Sequence, residues 1–150
     1  MNCTQIDQGR ADSLLKELSE QSFNQAFHVE KERKERKEPI WALPSGERIY
    51  YTVSIEGTDV LLAGINSKHL NLSSFAKLAE EEQFNGQGRR CVKKLIETVL
   101  VPLCKNNNKK NFDVLFTSDE GRKVLCYLEK NVPAGIARIT RSTSCRFHIE

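Results

Sequence analysis

The chain has 150 residues, 39% hydrophobic and 29% charged, with a formal net charge of +3; this is the size and composition of one globular domain and too little for two. No stretch approaches the roughly 20 apolar residues of a membrane span, and MNCTQIDQGRADSLL lacks the basic start and apolar run of a secretory leader, so a cytoplasmic protein without membrane contact is expected. Cys3, Cys91, Cys104, Cys126 and Cys145 are odd in number and contain no C-x-x-C pair, which predicts reduced, mostly buried thiols and neither a disulfide framework nor a zinc site.

Residues 11 to 30 place Leu14, Leu15, Leu18, Phe23 and Phe27 on one approximate helical face, with Asp12 near its start. KERKERKE, residues 31 to 38, has no apolar face and ends at Pro39; it reads as a solvated helix end or tether within the single domain 1 to 150. In ERIYYTVSIEGTDVLLAGI, Ile49, Tyr51, Val53 and Ile55 alternate with Tyr50, Thr52 and Ser54, and Glu56, Gly57 and Thr58 interrupt the run, which predicts a β-hairpin. Residues 72 to 84 carry Leu72, Phe75, Leu78 and Ala79 at helical spacing behind Ser73 and Ser74, so their local pattern reads as a helix.

EQFNGQGRRCVKK, residues 82 to 94, leads into a segment whose Val92, Leu95, Ile96, Val99, Leu100 and Leu103 share one face. That segment is a predicted helix from Arg90 to about Lys105, with Pro102 near its end. NNNKKN is a loop, NFDVLFT a short buried strand, SDEGRKVLCYLEKN a helix opened by Ser118, and AGIARITRSTSCRFHIE two closing strands.

The charge is unevenly spread. Residues 1 to 88 hold ten Lys and Arg against fourteen Asp and Glu, whereas residues 89 to 150 hold thirteen against six. A basic half beginning at Arg89 implies an anionic partner, a phosphorylated cofactor or a nucleic acid. Backbone amides at a helix N-terminus bind phosphate because they are unpaired there and the helix dipole is positive, and glycines allow close approach. Gly86 and Gly88 would give that clearance, Gln87, Gly88, Arg89 and Arg90 would present amides, and the Arg89, Lys93 and Lys94 side chains would meet phosphate charge.

The order of helix, hairpin, glycine loop, helix, strand, helix and two strands resembles the GNAT N-acetyltransferase superfamily. LAEEEQFNGQGRR is similar to that family's L-x-V-x-P-x-Y-R-G-x-G-I-G block, with Leu78 on the leucine, Phe84 on the aromatic, and Gly86 and Gly88 on two glycines. LFTSDEGRKVLCYLEKN resembles the second block, whose helix carries a tyrosine. The resemblance spans about residues 45 to 150. It implies an α+β domain with a mixed, mostly antiparallel sheet flanked by helices, and a strand running into the glycine loop. Arg90 stands where the family has Gly or Ala, Asn85 where it has Arg or Gln, and Glu80 where it has an apolar residue.

The activity implied is transfer of an acetyl group from acetyl-CoA to an amine by direct attack. Gly86, Gln87, Gly88, Arg89, Arg90 and Lys93 would bind the cofactor, with Tyr127 as acid for the departing thiolate. Glu80, Glu81, Glu82 or His69 would accept the amine's proton, and the acidic N-terminal half would attract a cationic acceptor. No serine-hydrolase elbow, zincin motif, P-loop or metal-ligand cluster occurs. The competing reading is a non-catalytic α+β binding module whose basic half contacts nucleic acid or an acidic protein. It makes residues 72 to 84 a true helix capped by Asn85 and Gly86.

Overall fold

The computed structural model describes residues 1–17, 24–25 (backbone), 48–114, 116, 119–142 and 144–150. The tether at 31 to 38, Leu18, Phe23, Phe27 and Ser118 lie outside the described residues.

Asn2–Ile6 forms strand β1, followed by helix α1, Gln8–Glu17. The Asp7 carboxylate accepts the Arg10 amide at 2.8 Å, so Asp7 caps α1 and Asp12 lies inside it. The helix expected over 11 to 30 therefore begins earlier, and Asn24–Gln25 within that range is a short strand, β2. The strand β1 is not expected from NCTQI, whose two apolar residues, Cys3 and Ile6, form no alternating run; it becomes a strand by pairing with residues 50 to 54.

The hairpin holds as expected. β3, Arg48–Ile55, turns through Glu56 and Gly57 into β4, Thr58–Asn66. Both turn residues have positive φ, 50° and 81°, the backbone that matches the right-handed twist of a two-residue hairpin loop.

The expected helix at 72 to 84 is corrected. Leu72–Lys77 is strand β5, and only Glu82–Phe84 forms a single 3-10 turn. The helical spacing misleads because Leu72, Ser74, Phe75 and Ala76 are all buried. A strand covered on both faces loses the apolar and polar alternation that would reveal it.

Helix α2, Gln87–Leu95, continues through a π turn, Ile96–Leu100, into α3, Val101–Asn106. Pro102 brings no N–H to the ladder, and the wider spacing falls in the turn immediately before it. β6 is Asn111–Val114, α4 is Asp119–Lys130, β7 is Ile136–Arg141 and β8 is Cys145–Ile149.

The strands form one mixed, mostly antiparallel sheet in the order β1-β3-β4-β5-β6-β8-β7, with β2 paired to β5 off that path. The parallel pair is β5 with β6, joined at Leu72 and Val114. The Asn71 side chain ties this end by accepting the Asp113 amide at 2.9 Å. Phe75 and Ala76 already pair with Ala63 and Leu62 of β4, so β2 lies along the opposite edge of β5.

Alternation along β4 divides the core. Leu61, Ala63 and Ile65 face α2 and α4 through Cys91, Val92, Leu95, Val124 and Leu128. Leu62 faces the other way, with Tyr50, Ala76 and Ala11, Leu14 and Leu15 of α1. Burying a side chain of this kind contributes about 1.5 to 3 kcal/mol, and α2 brings three such residues to the sheet, which fixes its N-terminus beside the end of β5.

Candidate functional site

The glycine loop lies between the C-terminal end of β5 and the N-terminus of α2. Gly86 is the residue before the first helical turn, with φ 75° and ψ −1°. This left-handed backbone favours glycine, because a Cβ there crowds the following carbonyl. Gly86 has no side chain to accept the first-turn amides of α2, and no side-chain cap is made. Those amides carry the positive end of the helix dipole.

Gly88 is buried against the sheet. A Cβ built on it would meet the Lys77 side chain, Cδ at 3.7 Å, so Lys77 reaches from the end of β5 over the first turn of α2. The Arg89 guanidinium bends back the other way, with Nη2 at 3.7 Å from the Cβ position of Gly86. It also stacks on the Tyr127 ring of α4, 4.9 Å from its centroid.

Lys77, Gly86, Gly88 and Arg89 enclose a cavity of about 170 Å³ together with Glu120, Lys123 and Val124 of α4. Lys123 pairs with Glu120 at 3.2 Å, so the three cations are only partly offset by the one carboxylate. The volume is below the roughly 300 Å³ of a whole small-molecule pocket. It suits one charged portion of a larger ligand, the remainder lying along the open surface.

Of the expected cofactor residues, Gly86, Gly88 and Arg89 line this cavity, while the Gln87 and Arg90 amides stand in the same first turn. The Arg90 side chain is exposed and outside the lining, so its bulk does not fill the cradle. Lys93 lies one turn further along α2. Tyr127 joins the site through Arg89. Glu80 and Glu81 are exposed in the segment between β5 and the 3-10 turn, outside the lining. His69 is exposed in the turn before β5, where its amide donates to Asn66 Oδ1 at 2.8 Å. That turn is at the opposite end of β5 from the cradle.

Lys77, Glu120 and Lys123 were not singled out from the sequence. Lys77 ends a strand that reads as a helix, and Lys123 reaches the loop only because α2 and α4 pack side by side. The basic half is also less open than its count of cations implies. Arg122 pairs with Asp119, Arg141 with Glu129 and Arg146 with Asp113.

Among the described residues, no thiol lines this cavity. Cys91, Cys104 and Cys145 are buried, and Cys126 is exposed. Burial, helped by nearby Cys3, pushes the Cys91 thiol up to about 11, and burial likewise raises Cys104 and Cys145. Among the described residues, no group of three or more His, Cys, Asp and Glu side chains is placed to hold a metal ion. No described helix is long and apolar enough to cross a membrane.

No protein-family model matches the chain, and no curated protein and no solved structure matches it.

Proposed function

We propose that the chain is an acyl-CoA dependent N-acyltransferase of the GNAT type, transferring an acetyl group from acetyl-CoA to an amine. The observation that carries the reading is the cradle at the start of α2. Uncapped amides follow a left-handed Gly86, and Lys77, Arg89 and Lys123 surround them in one cavity. That combination suits a pyrophosphate, which gains charge-assisted hydrogen bonds from the side chains and neutral ones from the amides. A strand, Leu72–Lys77, precedes this loop, as the resemblance requires, with a 3-10 turn, Glu82–Phe84, between the two.

Each residue has a defined part. Gly86 and Gly88 give backbone clearance, and the amides of Gln87 to Arg90 with Lys77, Arg89 and Lys123 hold the phosphates. The amine nitrogen attacks the thioester carbonyl and the carbon–sulfur bond breaks. The amine's proton passes to Glu80, Glu81 or a water beside them, and the thiolate takes a proton from the Tyr127 hydroxyl. Tyr127 is on the helix that closes the cavity, in ring contact with a phosphate-binding side chain.

Release of free thiol from acetyl-CoA tests this reading, measured with a polyamine, a lysine-containing peptide and a free peptide N-terminus as acceptors. The reading expects thiol release that requires both the protein and an amine. No release with any acceptor class, together with salt-sensitive retention on a nucleic-acid column, would favour the non-catalytic binding module.

A further inference from the structure

A second cavity, of about 190 Å³, opens on the other flank of α4. α4 contributes Arg122 and Leu125 to it, whereas Glu120, Lys123 and Val124 face the cradle. At 3.6 residues per turn these sets point to different sides of one helix, so the two cavities are separate. The rest of the wall comes from Phe116, after β6, and from Arg141, Ser142, Ser144 and Cys145, where β7 turns into β8.

The wall has two unlike parts. Phe116 and Leu125 give it an apolar side, and Phe116 is braced edge-on against the buried Phe75 ring at 5.9 Å. Arg141 gives it a charged side, its guanidinium paired with Glu129. Its Nε and Nη2 both donate to the Glu129 carboxylate, which uses one edge of the planar guanidinium and holds its plane. A guanidinium has five N–H donors, and a carboxylate engaged at the Nε edge leaves the Nη1 side directed elsewhere. Glu129, with the Cys126 thiol beside it, favours the charged form of Arg141. Among the described residues Arg122 is tied only by an exposed contact to Asp119 at 3.3 Å, a pairing weak enough for a ligand to displace.

We propose that this cavity is a binding site for a small carboxylate with a ring-sized or short hydrocarbon body. The carboxylate meets the Nη1 side of Arg141 and the displaced Arg122, and the body lies on Phe116 and Leu125. An apolar cavity of about 150 Å³ is enough for a benzene ring, so the volume accommodates such a body. A bare inorganic anion leaves the apolar half unused, and a neutral ring makes no use of the Nη1 side of Arg141. The site stands whether or not the cradle binds a cofactor, because it shares none of the cradle's lining residues.

Amide chemical shifts of the full chain, titrated with benzoate, benzamide and inorganic phosphate at constant ionic strength, test the proposal. Saturable benzoate shifts at Arg141, Ser142 and Ser144 are expected, with benzamide and phosphate each at least tenfold weaker there. Arg141→Gln and Arg122→Gln should each weaken benzoate at least tenfold; Arg122 is on the exposed side of α4, so its replacement leaves the fold intact. Arg89→Gln, in the cradle, should leave benzoate binding unchanged. The proposal is overturned by benzamide binding as well as benzoate, by shifts confined to Gln87 to Arg90, or by no saturable shift at the β7 to β8 turn.

Discussion

The Arg89 guanidinium lies over the Tyr127 ring, 4.9 Å from its centroid, joining the first turn of α2 to the middle of α4. In the proposed reaction the contact links the residue assigned to phosphate with the residue assigned to protonate the thiolate. Tyr127→Phe preserves the ring and removes only the hydroxyl, so CoA affinity and melting temperature should be unchanged while turnover falls about a hundredfold, the scale of a lost general acid. Arg89→Gln should do the reverse, weakening CoA about tenfold or more and costing roughly 0.5 to 1 kcal/mol of stability through the lost cation–π contact. Steady-state kinetics alongside thermal melts separate the two outcomes.

The two loop glycines should respond differently to substitution. Gly86 has a positive φ, so Gly86→Ala should destabilise the fold by about 1 to 2 kcal/mol. A Cβ on Gly88 meets only ordinary contact with Lys77 at 3.7 Å, so Gly88→Ala should fold as well as the parent chain, whereas Gly88→Val sets two further carbons beyond that position. Its branched side chain projects toward the cavity that Lys77 covers, and CoA affinity should drop at least tenfold. Denaturant melts with CoA titrations on these variants check the contrast.

Two positions away from the site report on packing. Gly135 has φ 87°, and a Cβ there would come within 2.8 Å of Val101 Cγ1. Gly135→Ala should therefore cost about 2 kcal/mol or more, from backbone strain and overpacking together. Ser74 Oγ is buried with no hydrogen-bond partner among the described residues. Ser74→Ala should leave stability unchanged or raise it by about 1 kcal/mol, since it removes an unsatisfied buried hydroxyl. Urea unfolding of each variant measures both effects.

Alkaline pH should weaken the fold through its buried thiols. In the native state burial raises Cys91 from about 9 to about 11. Below pH 9 the thiol is neutral in both states and costs nothing. Between about pH 9 and 11 it ionises only in the unfolded chain, so unfolding is favoured and stability falls with rising pH, by roughly 2 to 3 kcal/mol once pH passes the native value. Cys104 and Cys145 are shifted the same way. Urea midpoints from pH 8 to 11 check the slope, and a maleimide time course at pH 7.5 should label exposed Cys126 well before Cys91.

Much of the fold was legible in the sequence where local chemistry and tertiary environment agree. The β3 to β4 hairpin is written in its alternation and in Glu56 and Gly57, and the core face of α2 and the π turn after it in Val92, Leu95 and Ile96. β5 was misread because its neighbours bury it on both faces, so Leu72, Phe75 and Leu78 keep only a helix-like spacing. β1 was missed because an exposed, polar edge strand owes its conformation to its pairing with β3. In the candidate site, Gly86, Gly88 and Arg89 are neighbours in sequence and could be read together. Lys77 and Lys123 come from separate elements, and nothing local marks them. Only the packing of α2 between β5 and α4 brings their charges to the loop.

Calorimetric titration of the protein with CoA, repeated on Gly88→Val and on Lys77→Gln, tests the central claim most directly. The account predicts one saturable site in the parent chain, weakened at least tenfold in each variant, with affinity falling as salt rises. It is contradicted if CoA does not bind at millimolar concentration, or if both variants bind it as the parent does.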